Sequence, residues 1–100
     1  MVNVDFEFNW KYKDFEIRSQ RRYNNNPYIE LVKWTNDNKD KPHCFTLAYY
    51  SWNDEGGELI FIGNRPFEYI AEIDLSPIWK QLWYACGMLQ DAYFQARQEV

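Results

Sequence analysis

Hydrophobic and polar positions alternate strictly at the start of the chain, where Val2, Val4, Phe6, Phe8 and Trp10 are separated by Asn3, Asp5, Glu7 and Asn9. Successive side chains of a strand point to opposite faces, so this period of two predicts a β-strand with one wet face. Lys13-Asp14 supplies a turn, and Phe15, Ile17 and Ser19 then alternate with Glu16 and Arg18 as a hairpin partner running back along the first strand. Asn24-Asn25-Asn26-Pro27 breaks the pattern: Asn tolerates left-handed turn geometry, while Pro27 fixes its own backbone angle and biases Asn26 away from helix. A third strand is expected at about residues 28–35. The polar run over residues 36–42 has nothing to bury and reads as an exposed, mobile connection. Residues 43–51 carry β-formers on both parities, as expected of a strand covered to some extent on both faces. Asn53-Asp54-Glu55-Gly56-Gly57 offers turn geometry, with residues 58–62 as the next strand.

The period then changes. Gly63-Asn64-Arg65-Pro66 ends the sheet pattern, and Ser76-Pro77 announces a helix. Ser76 can accept hydrogen bonds from the free amides of a first turn, and Pro77 lacks only a donor that would have been idle there. Ile78, Leu82, Ala85, Leu89, Ala92 and Ala96 recur at steps of three and four as one apolar stripe, which Trp79, Trp83 and Cys86 widen. Gly87 interrupts a helix interior at a cost of about 1 kcal/mol against Ala, tolerable if its bare backbone lets the helix approach a bulky sheet residue. Short connections favour strands adjacent in sequence being adjacent in space. The expected architecture is α+β: an antiparallel β-meander of about five strands packed by one C-terminal α-helix, a two-layer sandwich in a single domain over residues 1–100.

Composition sharpens this picture in one respect. Five Trp, eight Tyr and seven Phe make 20% of the 100 residues aromatic, and each buried ring carries about 150–250 Å². A single sheet-and-helix core is too small for all of them, so some rings are expected at a surface or interface. The net charge of −4 is uneven: residues 1–50 hold eight Lys or Arg against seven Asp or Glu, and residues 51–100 hold three against eight. Nonspecific attraction to phosphate backbones is disfavoured overall. No apolar run reaches membrane-spanning length and the N-terminus lacks a signal-peptide core, which predicts a cytoplasmic protein. Cys44 and Cys86 are too few for a disulfide framework and too isolated for a zinc site.

The search for chemistry returns little. His43 is the sole histidine, and its neighbour Cys44 points to the opposite face of a regular strand, which argues against a thiolate–imidazole pair. Asp54, Glu55, Glu58, Glu68, Glu72 and Asp74 surround the last strand but lack the ligand spacing of a calcium loop or a companion histidine, and read as solvated acids. Gly56-Gly57 lacks the longer glycine frame and lysine of a phosphate cradle. Neither a catalytic residue, a metal site nor a cofactor site is expected, and Arg65 reads as a turn residue. Lys11, Lys13, Arg18, Arg21 and Arg22, interleaved with Trp10, Tyr12, Phe15 and Tyr23, are the candidate nucleic-acid contacts of a stacking-plus-charge hairpin, diluted by Asp14 and Glu16.

Phe45-Thr46-Leu47-Ala48-Tyr49, the segment Gly57-Glu58-Leu59-Ile60-Phe61-Ile62-Gly63-Asn64-Arg65-Pro66-Phe67 and the amphipathic C-terminal helix together resemble small uncharacterised proteins carried by phages and prophages. The resemblance covers about residues 43–100, carries no catalytic motif, and implies a phage accessory protein that binds a host or viral component. The leading expectation is therefore a non-enzymatic interaction protein acting on a protein partner or on itself as a homodimer, with Trp52, Tyr69, Trp79, Trp83 and Tyr84 as anchors. Two alternatives stand beside it: a nucleic-acid module built on the basic hairpin, and a stoichiometric inhibitor of host defence presenting an acidic face.

Overall fold

Five strands and one helix carry the chain in the computed structural model, which describes residues 4–22, 26–35, 43–53, 56–62 and 76–98. Strands β1 (Asn9–Tyr12), β2 (Phe15–Arg21), β3 (Pro27–Thr35), β4 (His43–Asn53) and β5 (Gly56–Phe61) precede helix α1 (Ser76–Gln98). All neighbours pair antiparallel in the order β1-β2-β3-β4-β5, the expected meander. The fold is α+β, with one open sheet and a C-terminal helix.

One face of the sheet meets the helix. Phe15 and Ile17 of β2, Ile29 and Leu31 of β3, and Leu47 and Ala48 of β4 are buried together with Ile78, Leu82, Ala85, Cys86, Leu89, Tyr93 and Ala96 of α1. Each Ile or Leu enclosed there contributes about 1.5–3 kcal/mol relative to its exposed state. The Tyr93 phenol, pushed above its ordinary pKa by burial, donates to the carbonyl of Pro27 at 3.3 Å, tying the end of the helix to the start of β3. The expected stripe is largely correct, with Ala92 partly buried, but it turns toward Cys86 and Tyr93 and leaves Trp83 outside.

Three expectations need correction, and one feature of the sheet went unannounced. The first strand was expected from Val2, yet the ladder begins at Asn9: Val4 and Phe6 are buried and Asp5 and Glu7 exposed as the alternation requires, but the amide of Phe8 donates to the Ser19 side chain at 2.9 Å rather than to a strand carbonyl. Gly56 and Gly57, expected in a turn, open β5 opposite Asn53 and Trp52. Gly56 has φ +124°, and the side chains of Tyr50 and Trp52 fill the space a Cβ at Gly57 would need. Gly87 does not serve close packing, because a Cβ built on it meets nothing within 4 Å. Last, β3–β4 carries a register shift between Leu31 and Val32: Leu31 faces Ala48 and Val32 faces Thr46, so Leu47 is the extra residue of a β-bulge. Arg65, Tyr69 and the connections at 36–42 and 63–75 lie outside the described residues.

Candidate functional site

Two surfaces hold side chains that core packing does not explain. The first is the flank where α1 meets β5, the strand at one edge of the sheet. Leu59 and Phe61 lie on the helix-facing side of β5, opposite Tyr50 and Ala48, yet remain 37% and 38% exposed. Leu59, Trp79 and Trp83 rim a narrow cleft of about 150 Å³ floored by Leu82 and Cys86. Trp79 meets Phe61 edge to face at 5.9 Å, and Trp52 meets Phe94 the same way at 5.6 Å. Trp83 stands 77% exposed.

Helical geometry sorts the proposed anchors. Residues three, four and seven apart share a face, so Trp79, Trp83 and Phe94 line the β5 flank, whereas Tyr84, 61% exposed, is turned about 100° from Trp83 onto the other flank with Met88. Trp52 packs against the core, with its indole N–H buried and without a hydrogen-bond partner among the described residues. The structure thus brings Trp79 and Trp83 together, sets Trp52 against Phe94 further along the helix, and separates Tyr84; Tyr69 lies outside the described residues. Cys86, on the floor of the cleft, has its thiol pushed up to about 11 by burial, which leaves it unreactive near neutral pH.

The second surface is the sheet face away from the helix. Two carboxylates are enclosed there, Glu16 at 4% and Glu30 at 6% exposure, with Arg18 between them. Arg18 Nε donates to Glu30 Oε1 at 2.7 Å, and its Nη1 lies 3.7 Å from Glu16 Oε1. Asn9 Nδ2 and Trp34 Nε1 donate to Glu16 at 2.5 and 2.9 Å, and the Thr46 hydroxyl donates to Glu30 at 3.2 Å. Burial pushes the Glu16 carboxyl up, but the bonds from Asn9 and Trp34, with Arg18 and Lys11 nearby, outweigh it and hold the pKa below its ordinary value. For Arg18 burial works against the charge and Glu30 more than restores it. The arrangement is an ion-pair belt across β1 to β4.

Beside this belt lies an open hollow of about 380 Å³. Arg21 and Arg22 enter it from the end of β2, Tyr28 and Glu30 from β3, and Thr46 and Tyr49 from β4; Ile62, just beyond β5, closes one side. The bulge at Leu47 makes this possible. In an unbroken strand, residues three apart point to opposite faces, but the extra residue lets Thr46 and Tyr49 share the open face, opposite Val32 and Glu30. The Ile62 amide donates to the Leu47 carbonyl at 2.8 Å, pinning Ile62 beside them.

The five basic residues of the hairpin do not form one surface. Lys13, at φ 52°, occupies the β1–β2 turn over the Tyr12 ring, Lys11 is exposed beside Glu16, and Arg18 is consumed by the belt. Arg21 and Arg22 stand at the other end of β2, about 20 Å from that turn by strand rise. Arg21 donates to the Val4 carbonyl at 3.1 Å, and the Arg22 guanidinium lies 5.3 Å from the centre of the Tyr28 ring. Tyr28, Tyr49 and Ile62 were not singled out in the sequence, since their convergence depends on the bulge.

The histidine and thiols are kept apart. His43 Nε2 bonds the exposed Thr35 hydroxyl at 3.0 Å, and Cys44 Sγ accepts from Arg18 on the open face at 3.6 Å. Cys86 sits in the core on the other side of the sheet. Of the acidic residues around the last strand, Glu58 is exposed on β5 and the other five lie outside the described residues. Among the described residues no group of three or more His, Cys, Asp or Glu side chains is placed to hold a metal, and no helix is long and apolar enough to cross a membrane.

These features define a two-layer α+β protein with an apolar edge and a charged open face. Compared with known families and proteins, the chain matches no family model, no curated protein and no solved structure.

Proposed function

We propose that this protein is a non-enzymatic interaction module whose contact face is the outer edge of β5 with the adjoining flank of α1. The observation that carries the reading is Trp83, 77% exposed beside the partly exposed Leu59 and Phe61 of an edge strand. Edge strands are ordinarily defended by brevity, lysine, proline or a bulge. β1 is defended in this way, with four residues including Lys11, whereas Gly56–Phe61 carries Glu58 as its single charge and pairs on one side only among the described residues. An extended segment of a partner added along β5 would lengthen the sheet through main-chain hydrogen bonds and cover Leu59, Phe61 and Trp83 with apolar side chains. A host or viral protein in the bacterial cytoplasm, or a second copy of the chain, is the class of partner this face suits, in keeping with the resemblance of residues 43–100 to phage accessory proteins.

The test compares the intact chain with Leu59→Glu and Trp83→Ala in affinity capture from a bacterial lysate and in sedimentation at high micromolar concentration. A specific captured protein or a dimer that both variants lose, while circular dichroism stays native, supports the reading. Identical capture and sedimentation for all three chains would overturn it.

A further inference from the structure

Apart from that contact face, we infer that the hollow on the open sheet face is a binding site for a nucleoside phosphate unit, either as a free nucleotide or within a single strand. The chemistry converges from three sides. Arg22 supplies the cation: it lies against the Tyr28 ring, and no carboxylate among the described residues pairs with it. A guanidinium held on a ring face is oriented for charge-assisted bonds to phosphate.

The walls suit a flat ring. Tyr49 on β4 and Ile62 beyond β5 bound the hollow with Arg22 and Tyr28; both tyrosines are half-buried on their strands, and with Arg22 laid over the Tyr28 ring at 5.3 Å, Tyr49 is the ring left for a base. Base stacking on such rings is sequence-tolerant, since every base has a π face. The floor is an acceptor surface. Glu30 accepts one bond at each oxygen, from Arg18 and from Thr46, which leaves further lone pairs, and the Thr46 oxygen keeps its own. A ring presenting an N–H donor therefore fits this floor, and a plain hydrocarbon does not. The volume of about 380 Å³ falls within the range of small-molecule sites.

Charge explains why an acidic protein can do this. Arg18 lies closest to Glu30 at 2.7 Å and is shared with Glu16 at 3.7 Å, so the Glu30 charge is partly compensated, and the exposed Arg22 guanidinium adds a cation at the rim of the hollow despite the overall charge of −4. The belt also prepays the ordering of the floor, because Glu30 is held from two directions before any ligand arrives.

The test is calorimetric titration of the full chain at low salt with adenosine monophosphate, adenosine, inorganic phosphate and a short adenine oligonucleotide. Saturable nucleotide binding that Arg22→Ala and Tyr49→Ala each weaken about tenfold or more, with Tyr49→Phe within about threefold of the parent, is the expected result. Thermal melts establish that the variants are folded, and Trp83→Ala should leave the affinity unchanged, which separates this site from the proposed contact face. An oligonucleotide bound at least about tenfold tighter than the mononucleotide, with salt-sensitive affinity, identifies a strand as the source; equal affinities identify the free nucleotide. Absence of saturation by mononucleotide and oligonucleotide alike at millimolar concentration, binding of phosphate or adenosine as tight as that of the nucleotide, or binding untouched by Arg22→Ala and Tyr49→Ala would overturn the inference.

Discussion

Replacing Gly87 with Ala should stabilise the protein. Gly87 is the twelfth residue of a 23-residue helix, far from either end, and its φ is not in the left-handed region. A Cβ built on it meets nothing within 4 Å, so the substitution introduces no clash. What remains is the backbone term: glycine gives up more conformational freedom than alanine on entering a helix interior, a difference of about 0.5–1 kcal/mol. For a domain of this length that corresponds to a rise in melting temperature of about 2–8 °C. On an m value of about 1 kcal/mol per molar urea, the midpoint should move up by about 0.5–1 M with m unchanged. Gly57→Ala is the paired control and should destabilise, because Tyr50 and Trp52 occupy the space its methyl needs. A lowered midpoint for Gly87→Ala would refute the reasoning, since it would mean that the helix presses against something at this point. Gly87 also falls one turn after Trp83, on the proposed contact flank. If the partner approaches the bare backbone there, Gly87→Ala should weaken capture while strengthening the fold, a trade-off common at functional surfaces.

Three further outcomes follow from the buried groups. Arg18→Ala leaves Glu16 and Glu30 enclosed without their cation and should cost about 3–5 kcal/mol by urea unfolding, whereas Asp14→Ala, which removes a largely exposed bridge to Lys33, should cost under about 1 kcal/mol. Because the Glu16 pKa is lowered on folding, the unfolded chain binds its proton more readily; the stabilisation is present above the ordinary value of 4.5 and is lost as pH falls through the lower folded value, so the urea midpoint should drop as pH falls below 4.5, less steeply in Glu16→Gln. At pH 8 the Cys86 thiol, with its pKa pushed up to about 11, is thiolate in about one molecule in a thousand, so a thiol reagent should label Cys44 rapidly in the folded protein and Cys86 only on unfolding; fast labelling of both would contradict its burial.

Much of the fold was legible along the chain. The alternation at Phe15 to Ser19, the break at Pro27 and the start at Ser76-Pro77 each reflect a local preference that tertiary contacts reinforce, and strands and helix fall where these signals put them. The candidate sites were less legible. Trp79 and Trp83 are four residues apart and look equivalent in a helical pattern, yet one rests on Phe61 and the other faces solvent. The apolar arc is wider than the sheet can cover, and only the angle at which α1 lies across β2 to β4 decides which rim stays exposed. Arg18 reads as a wet-face cation in the hairpin, and nothing local announces that Glu30, twelve residues later, will neutralise it.

The sequence by itself determined the order and kind of the elements, because a period of two or of three to four, punctuated by proline, glycine and asparagine, is a property of neighbouring residues. It also determined that twenty aromatic side chains would exceed the needs of one small core. Tertiary structure alone decided which of them meet. The bulge at Leu47 arises from how β3 and β4 settle against each other over some sixteen residues of separation, and that single-residue offset puts Thr46 and Tyr49 on one face with Glu30. A side chain's face is fixed by its own strand only until the register slips; past that point the partner strand sets it.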